Sequence, residues 1–578
     1  MTKDSQSAQH SPWPLVLFSV TLALALLVLS LLDYARAAGQ PAAIATAVVA
    51  LGLLAFLAIR IYRKERAHLA APLAGGDEIS NRTALIILLG LTLLAAALRL
   101  YRLGHESFWY DETFTALWAS RPLLTVLRSV NPLPHLVAHL SLALGRSEFI
   151  LRLGPALAGI LLIPSTCLLG RTLYRRTEGL VAAALLTVSA YALYHSQELR
   201  FYAWQMLFST WTLIFLLRGL DGRRWAWVGF ALATALNLYS HPFGLFVLAS
   251  EGLYVAGVAL ADAFQAHRGL PLGDRRRFAA VARRLLAPAV CALVALAAFG
   301  PGWGHLFSLT TSPTWTLDTE NTLVAAQGGP WFDRPIATWT YELPSSLLAL
   351  SHPAWLGLVL VFFFVGLLSS ARRQVALVLL WVLVPPIVLF AVKVHFYHRY
   401  LSYFLPLCTL VVAHGLDGVA SAFWPMRVRR WVALALLTLL VAAPNLAQLP
   451  EYYRDAQKEQ WREAIAFIES NRQPGDGVLV MSSFIVGAPH QPFDWYRTVP
   501  SSELPWQFFD IGADETDPGQ WDELLTMVQG HRRVWFVMPA SATEIGEAIN
   551  ERLQGRFQWV QQREFVCLQV VLYQAFSE

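Results

Sequence analysis

A polytopic α-helical membrane protein that ends in a small α/β domain is the fold class this sequence predicts, on three observations. Only 14% of its 578 residues are charged and its mean hydropathy is +0.47, far from a soluble composition. Apolar runs of roughly 18 to 22 residues, each long enough to cross a ~30 Å hydrocarbon core as a helix, recur along most of the chain. From about residue 450 the pattern changes to short alternating helix-like and strand-like segments.

Helices are the natural form for the apolar runs, because backbone amides cannot stay unpaired in lipid. Spans are expected near 13–33, 41–61, 83–102, 148–170, 178–195, 200–218, 225–240, 242–261, 285–304, 350–370, 374–392, 400–421 and 430–448, about thirteen in all. The first is longer than the apolar region of a secretory leader and follows Lys3 and Asp4 instead of a basic cluster, so it is expected to be retained. After the third span, Phe114, Leu117, Trp118, Leu124 and Leu127 recur at helical spacing between Thr113 and Val130, which predicts an amphipathic helix on the membrane surface. In the tail, helices are expected near 459–472, 519–529 and 542–554, and strands at Gly477–Met481, Val534–Met538 and 565–574.

The net charge of +5 is unevenly divided: from Glu451 onward 10 Lys and Arg face 19 Asp and Glu, a net −9, which leaves +14 for the preceding part. An acidic soluble part excludes a nucleic-acid partner. Arginines gather in alternate loops, at 60–66, 171–176, 218–224, 275–284, 372–373 and 427–430, which marks that side as cytoplasmic. Segments 103–147 and 305–349, the turns near 196 and 240, residues 393–399 and the tail then face outward. Cys167, Cys291, Cys408 and Cys567 lie far apart with no disulfide or metal spacing.

Four polar clusters fall on that outer face. Trp109-Tyr110-Asp111-Glu112 sets two carboxylates beside aromatics, a pattern suited to general-base work, although an acidic pair also suits the start of a helix. Tyr194 to Tyr202 contains His195, Gln197, Glu198, Arg200 and Tyr202 at the junction of two spans, where ionisable groups are costly and face a cavity or each other; an internal Glu198–Arg200 pair is the structural alternative. Tyr239-Ser240-His241 and Lys393, His395, Tyr397, His398, Arg399, Tyr400 complete the set. Cations on the side that elsewhere lacks them are placed to hold a phosphate, while Lys393 and His395 equally suit snorkelling at the interface. Trp303, Trp315, Trp331 and Asp333 could shape an entrance or form an aromatic belt.

Taken in order, Arg99-Leu-Tyr-Arg-Leu-Gly104, Ser107-Phe-Trp-Tyr-Asp-Glu112, Ser147-Glu-Phe-Ile-Leu-Arg152, Ser196-Gln-Glu-Leu-Arg-Phe-Tyr202, Tyr239-Ser-His241, Arg399-Tyr400 with Pro406, and Lys458-Glu-Gln-Trp-Arg462 with Pro474-Gly-Asp476 resemble a GT-C superfamily glycosyltransferase. The resemblance is to the bacterial family that is similar to protein O-mannosyltransferases and lipid A aminoarabinose transferases. It departs from that pattern where a His-Pro-Pro stretch is usual and Asn131-Pro-Leu-Pro-His135 stands instead.

The resemblance implies a GT-C-like membrane core over 83–449, preceded by a two-span extension over 1–82 and followed by an extracytoplasmic α/β domain over 450–578. It implies an inner-membrane enzyme that moves a sugar from a polyprenyl-phosphate donor to a hydroxyl of a lipid, glycan or protein. Asp111 would be the base, with Glu112 assisting or orienting. Arg200, then Arg399, Lys393 and His241, would hold the donor phosphate, supported by Tyr110, Gln197, Glu198, Tyr202, Tyr239 and His398. No cofactor is required; a divalent metal is conceivable but no His or Cys spacing indicates one. The alternatives are a polytopic lipid or solute transporter, which calls for interrupted helices with midplane charges, and a non-catalytic scaffold whose tail binds a partner.

Overall fold

The structure, a computed structural model, describes residues 13–37, 79–129, 131–266, 275–300, 303, 338–349, 353–392, 397–481, 490–509 and 518–576. It is a helical membrane bundle with a five-stranded domain at its C-terminal end. Every expected span other than 41–61, which lies outside the described residues, coincides with a helix. Among the described residues, eight helices are long and apolar enough to cross a bilayer, or nine if one bent pair counts as a single span; 226–240 and 354–369 are apolar but shorter.

Small residues let the core helices approach. A Cβ at Gly366 would run into the Val411 carbonyl and one at Gly415 into that of Phe362, which locks Pro353–Ser369 against Phe404–Phe423. The helix Trp13–Ala37 covers the outside of the same pair through Leu15 and Val365.

The expected span 178–195 is bent: Arg176–Val188 and Ala190–Ser196 meet at 65°. Several groups freed at the break find partners within the bundle. Asn445 Oδ1 accepts the Ala190 N–H at 2.8 Å and the Ser189 hydroxyl accepts from Ala192 N at 3.2 Å. The fully buried Arg99 donates to the Leu186 and Thr187 carbonyls at 3.2 and 3.3 Å, at the negative end of the first segment. The bend carries His195 and Glu198 to one end of the bundle.

The single surface helix expected over 113–130 is two helices, Tyr110–Ala119 and Leu123–Leu127. Pro122 stands at the N-cap of the second, since proline cannot continue the first but suits a helix start. The exposed Leu123 and Leu124 retain the apolar surface that suggested the longer helix.

The tail forms a mixed sheet in the order β2-β1-β3-β5-β4, with β1 Asp476–Met481, β2 Trp506–Phe509, β3 Arg533–Pro539, β4 Phe557–Phe565 and β5 Leu568–Ala575. β1 runs parallel to β2 and β3, whereas β5 is antiparallel to both β3 and β4. β1 and β3 are buried along their whole length and read as continuous apolar runs. The helices Trp461–Asn471, Pro518–Val528 and Thr543–Leu553 match expectation; β2, β4 and the helix His490–Tyr496 were not foreseen.

Candidate active site

The helix Tyr110–Ala119 begins the site, and Glu112 fixes its first turn. Glu112 is completely buried. Arg152 grips both its oxygens, Nε to Oε1 and Nη2 to Oε2, each at 2.7 Å; Lys458 Nζ reaches Oε2 at 3.1 Å, and Leu199 N donates to Oε1 at 2.6 Å. Burial by itself would raise this carboxyl, but Arg152 and Lys458 outweigh it and hold Glu112 at about 2. The remaining Arg152 donors bind the carbonyls of Leu103, Glu106 and Ser107 at 3.2, 2.8 and 3.0 Å, so the loop entering the helix hangs on one guanidinium. All the Arg152 donors point at Glu112 or at that loop, and Lys458 Nζ also reaches the Gln197 carbonyl at 3.0 Å, so Glu112 is an anchor.

Asp111 is the neighbour left reachable, with its side chain 21% exposed. Its Oδ2 lies 3.4 Å from Arg200 Nη2 and 3.5 Å from Arg399 Nη2. Arg200 Nη1 also donates to the Asp111 carbonyl at 3.0 Å and to Thr115 Oγ1 at 3.2 Å. Arg399 lies over the Tyr397 ring at 4.3 Å and over Trp109 at 5.5 Å, contacts that hold a guanidinium flat on an aromatic face. Two cations around one carboxylate leave an excess positive charge. Among the described residues the buried Nε of Arg200, Nε of Arg399 and hydroxyl of Tyr202 have no hydrogen-bond partner, and such orphans are uncommon.

The other candidate residues separate into those near this centre and those away from it. His241 stacks on Phe201, ring centroids 3.9 Å apart, and lies 4.9 Å from Tyr400. Its Nδ1 accepts the Phe243 N–H at 3.2 Å, which puts the ring proton of the neutral imidazole on Nε2. Glu198 does not pair with Arg200: it accepts from Trp109 Nε1 at 3.0 Å and meets His195 Nδ1 at 2.7 Å, steadying the residue two places before Asp111. Gln197 donates to the carbonyls of Arg99 and Tyr101, both at 2.9 Å, and accepts from Tyr452 at 2.6 Å, closing the end of the helix Asn81–Leu100. Tyr110 offers its backbone N–H to Glu459 Oε2 at 3.2 Å. Tyr239 donates to the Ala298 carbonyl at 2.6 Å and packs on Phe299, outside the cluster, and His398 Nε2 faces Glu342 at 4.0 Å. Lys393, His395, Trp315, Trp331 and Asp333 lie outside the described residues. Among the described residues no three His, Cys, Asp or Glu side chains gather as a metal site would.

The tail's part in the site was not foreseen. Besides Lys458, the Glu459 carbonyl accepts from Ser107 Oγ at 2.6 Å, and Arg462 Nη1 meets Glu148 Oε1 at 2.8 Å. The Tyr496 hydroxyl donates to that same Glu148 oxygen at 3.0 Å and accepts the Phe108 N–H. Phe108 is itself buried with Trp495, Leu151 and Leu199 in one apolar cluster. The signal was present in the recurring Ser147–Arg152 and Lys458–Arg462 motifs; what the sequence lacked was the contact between them.

Two solved structures share this architecture. The aminoarabinose transferase ArnT of Cupriavidus metallidurans in its apo state matches over 85% of this chain and 98% of its own, at 14% identity and a TM-score of 0.50. The apo oligosaccharyltransferase of Archaeoglobus fulgidus matches over 85% of this chain and 74% of its own, at 13% identity and a TM-score of 0.50. No curated protein sequence matches the chain. These likenesses give a fold shared with those two proteins, and residues 129–264 match the family model of dolichyl-phosphate-mannose-protein mannosyltransferases.

Proposed function

We propose that this protein is an integral-membrane glycosyltransferase that takes a sugar from a polyprenyl-phosphate donor and passes it to an acceptor hydroxyl at the extracytoplasmic face. The observation that carries the reading is the reachable Asp111 carboxylate flanked by Arg200 and Arg399, whose Nε groups, with the Tyr202 hydroxyl, have no partner among the described residues. The family matched over 129–264 is described by a dolichyl-phosphate sugar donor, which supports a carrier of that class. The arginine-rich loops at the opposite ends of the spans support an outward-facing Asp111 end, and with it a tail on the periplasmic side of an inner membrane.

In the resting state the two guanidiniums neutralise Asp111. A donor phosphate arriving between them competes for their N–H groups, a charge-assisted pairing for which arginine is well shaped, and frees the carboxylate. The acceptor oxygen then attacks the anomeric carbon as its proton passes to Asp111. The bond from that carbon to the phosphate oxygen breaks, and its electron pair leaves with the lipid phosphate, whose growing charge the arginines stabilise. Tyr202 and the Nε2–H of His241 are further donors on the Arg200 side. Glu112 acts through position only, by fixing the turn that carries Asp111. The bend at Ser189 is a feature that a transporter would share, but protein groups pair with the backbone there.

Purified protein incubated with a panel of polyprenyl-phosphate sugars should release free lipid phosphate from at least one of them, and Asp111→Asn should stop the release. Movement of an intact donor across vesicles without lipid phosphate release would assign the transporter reading instead.

A further inference from the structure

The segment Asn131-Pro-Leu-Pro-His135 takes no part in holding the phosphate, yet it is built beside the Asp111 helix. It begins the helix Pro132–Leu142, which His139 ties to the Asp111 helix through the Ala119 carbonyl at 2.7 Å. His135 is 3% exposed, lies parallel to Trp118 with ring centroids 6.0 Å apart, and lies 6.2 Å from Phe114. Phe114 stands three residues after Asp111, on the same face of its helix.

The hydrogen bonds fix which ring nitrogen of His135 carries the proton. Ser129 donates its single hydroxyl hydrogen to the Val126 carbonyl at 2.8 Å. Its oxygen can therefore only accept from His135 Nδ1, 2.7 Å away. Burial, reinforced by Arg200 and Arg121, holds the ring at about 3, so it is neutral near pH 7 and Nε2 keeps a bare lone pair. No hydrogen bond to that nitrogen exists among the described residues.

Asn131 presents a second lone acceptor. It occupies the N-cap position, where its side chain would ordinarily take the N–H of the second or third helical residue, but it makes no cap bond and its buried Oδ1 has no partner among the described residues. The third of those residues is Pro134, which has no N–H to give. Among the described residues these two acceptors have no donor: Arg200 and Arg121 lie close to His135 but give neither of them a hydrogen bond. Two such acceptors suit a ligand rich in hydroxyl donors.

We propose that Asn131 Oδ1 and His135 Nε2 form a hydroxyl-accepting subsite for a pyranose ring, bordered by Phe114 and Trp118, next to the phosphate-holding arginines. The inference rests on the glycosyl-transfer reading and deepens it: phosphate on the Arg200 and Arg399 side, sugar hydroxyls on the Asn131 and His135 side. The pyranose belongs either to the donor or to a sugar-bearing acceptor; both offer the same O–H groups.

The test uses full-length protein, a panel of polyprenyl-phosphate pyranoses with their monodeoxy analogues, and either water or octyl glycosides as acceptor. His135→Phe and Asn131→Leu each remove an acceptor atom and should raise the KM for the sugar-bearing substrate by roughly tenfold while kcat changes less, as loss of one buried hydrogen bond requires. His135→Gln, which restores an acceptor oxygen, should recover part of the loss. A donor ring in the subsite raises the KM for donor hydrolysis and abolishes discrimination against one deoxy donor. An acceptor ring leaves donor hydrolysis unchanged and raises the KM for the octyl glycoside. Inhibition by free polyprenyl phosphate, which bears no sugar, should be unchanged in every variant and reports that the phosphate side is intact. Unaltered KM values for all donors and octyl glycosides, in variants with normal lipid phosphate inhibition, overturn the subsite. If wild-type protein releases no lipid phosphate from any donor, the glycosyl-transfer reading itself fails and takes this inference with it.

Discussion

Asp111 and Glu112 are adjacent carboxylates with opposite surroundings. Asp111 is partly exposed and loosely paired at 3.4 and 3.5 Å, whereas Glu112 is sealed under a bidentate arginine and a lysine. Their substitutions should therefore fail in different ways. Asp111→Asn keeps shape and removes the proton acceptor, so lipid phosphate release should drop by about 10² to 10⁴ with the melting temperature unchanged; normal turnover in the purified variant would remove Asp111 as the base. Arg200→Lys and Arg399→Lys retain charge but lose the planar fork, and each should raise the apparent donor KM on the order of tenfold. Equal donor affinity in both lysine variants would show that neither guanidinium grips the phosphate. Glu112→Gln instead strands Arg152 and Lys458 in a buried site, a change that costs about 3 to 5 kcal/mol. Since Glu112 sits at about 2 in the folded protein, below the ~4.3 of a free glutamate, its contribution of on the order of 3 kcal/mol is fully present above about pH 5. It is lost as pH falls from ~4.3 toward 2. Hydrogen exchange across 103–112 should accelerate over that window in the wild type, and the acceleration should be absent in Glu112→Gln.

At the scale of elements, the loop Leu103–Trp109 and the strand of chain around Lys458–Arg462 behave as one unit held by Arg152. Arg152 lies in the fourth expected span, found as Glu148–Leu173, and Lys458 enters from the tail. Lys458→Met keeps length and stem but removes the ammonium, leaving the Arg152–Glu112 pair intact. The expected result is a fall in kcat with donor KM unchanged, because the turn bearing Asp111 loosens while the arginines stay in place; an equal change in both would place Lys458 at the donor instead. The spans were legible because lipid imposes length and apolarity on each run separately, so 148–170 or 400–421 could be read without knowing a neighbour. Asp111, Arg200 and Arg399 were legible as outer-face groups, since charge at such a depth has a meaning of its own. Their convergence at one site was expected only through the family resemblance, because the residues themselves give no sign of the 65° bend at Ser189 inside an apolar run. The anchor role of Glu112 was not legible, since it is set by Arg152 and Lys458, 40 and 346 positions away. Pro122 did carry a local signal against a helix through 113–130, and the apolar spacing on either side of it masked that signal.

At the scale of the whole molecule, the acidic tail is a structural part of the membrane site. Its edge supplies Lys458 to Glu112, Glu459 to the backbone at Tyr110, and Tyr496 to both Glu148 and the backbone at Phe108. These groups replace water around the loop that leads into Asp111, and burial makes each of them costly to leave unpaired. A chain cut after Arg454 should still insert, because its spans and the packing of Gly366 against Val411 and Gly415 against Phe362 lie wholly in the bundle. It should nevertheless lose turnover as completely as Asp111→Asn does, with the loop 103–112 open to protease. The two causes separate on donor binding: the truncated chain keeps Arg200 and Arg399 and should still bind free polyprenyl phosphate, whereas a chain whose bundle has unfolded should not. Full turnover in a truncated chain that binds lipid phosphate would mean that Arg152 alone holds the Asp111 turn in register, and the tail would then be a separate module attached to a complete enzyme.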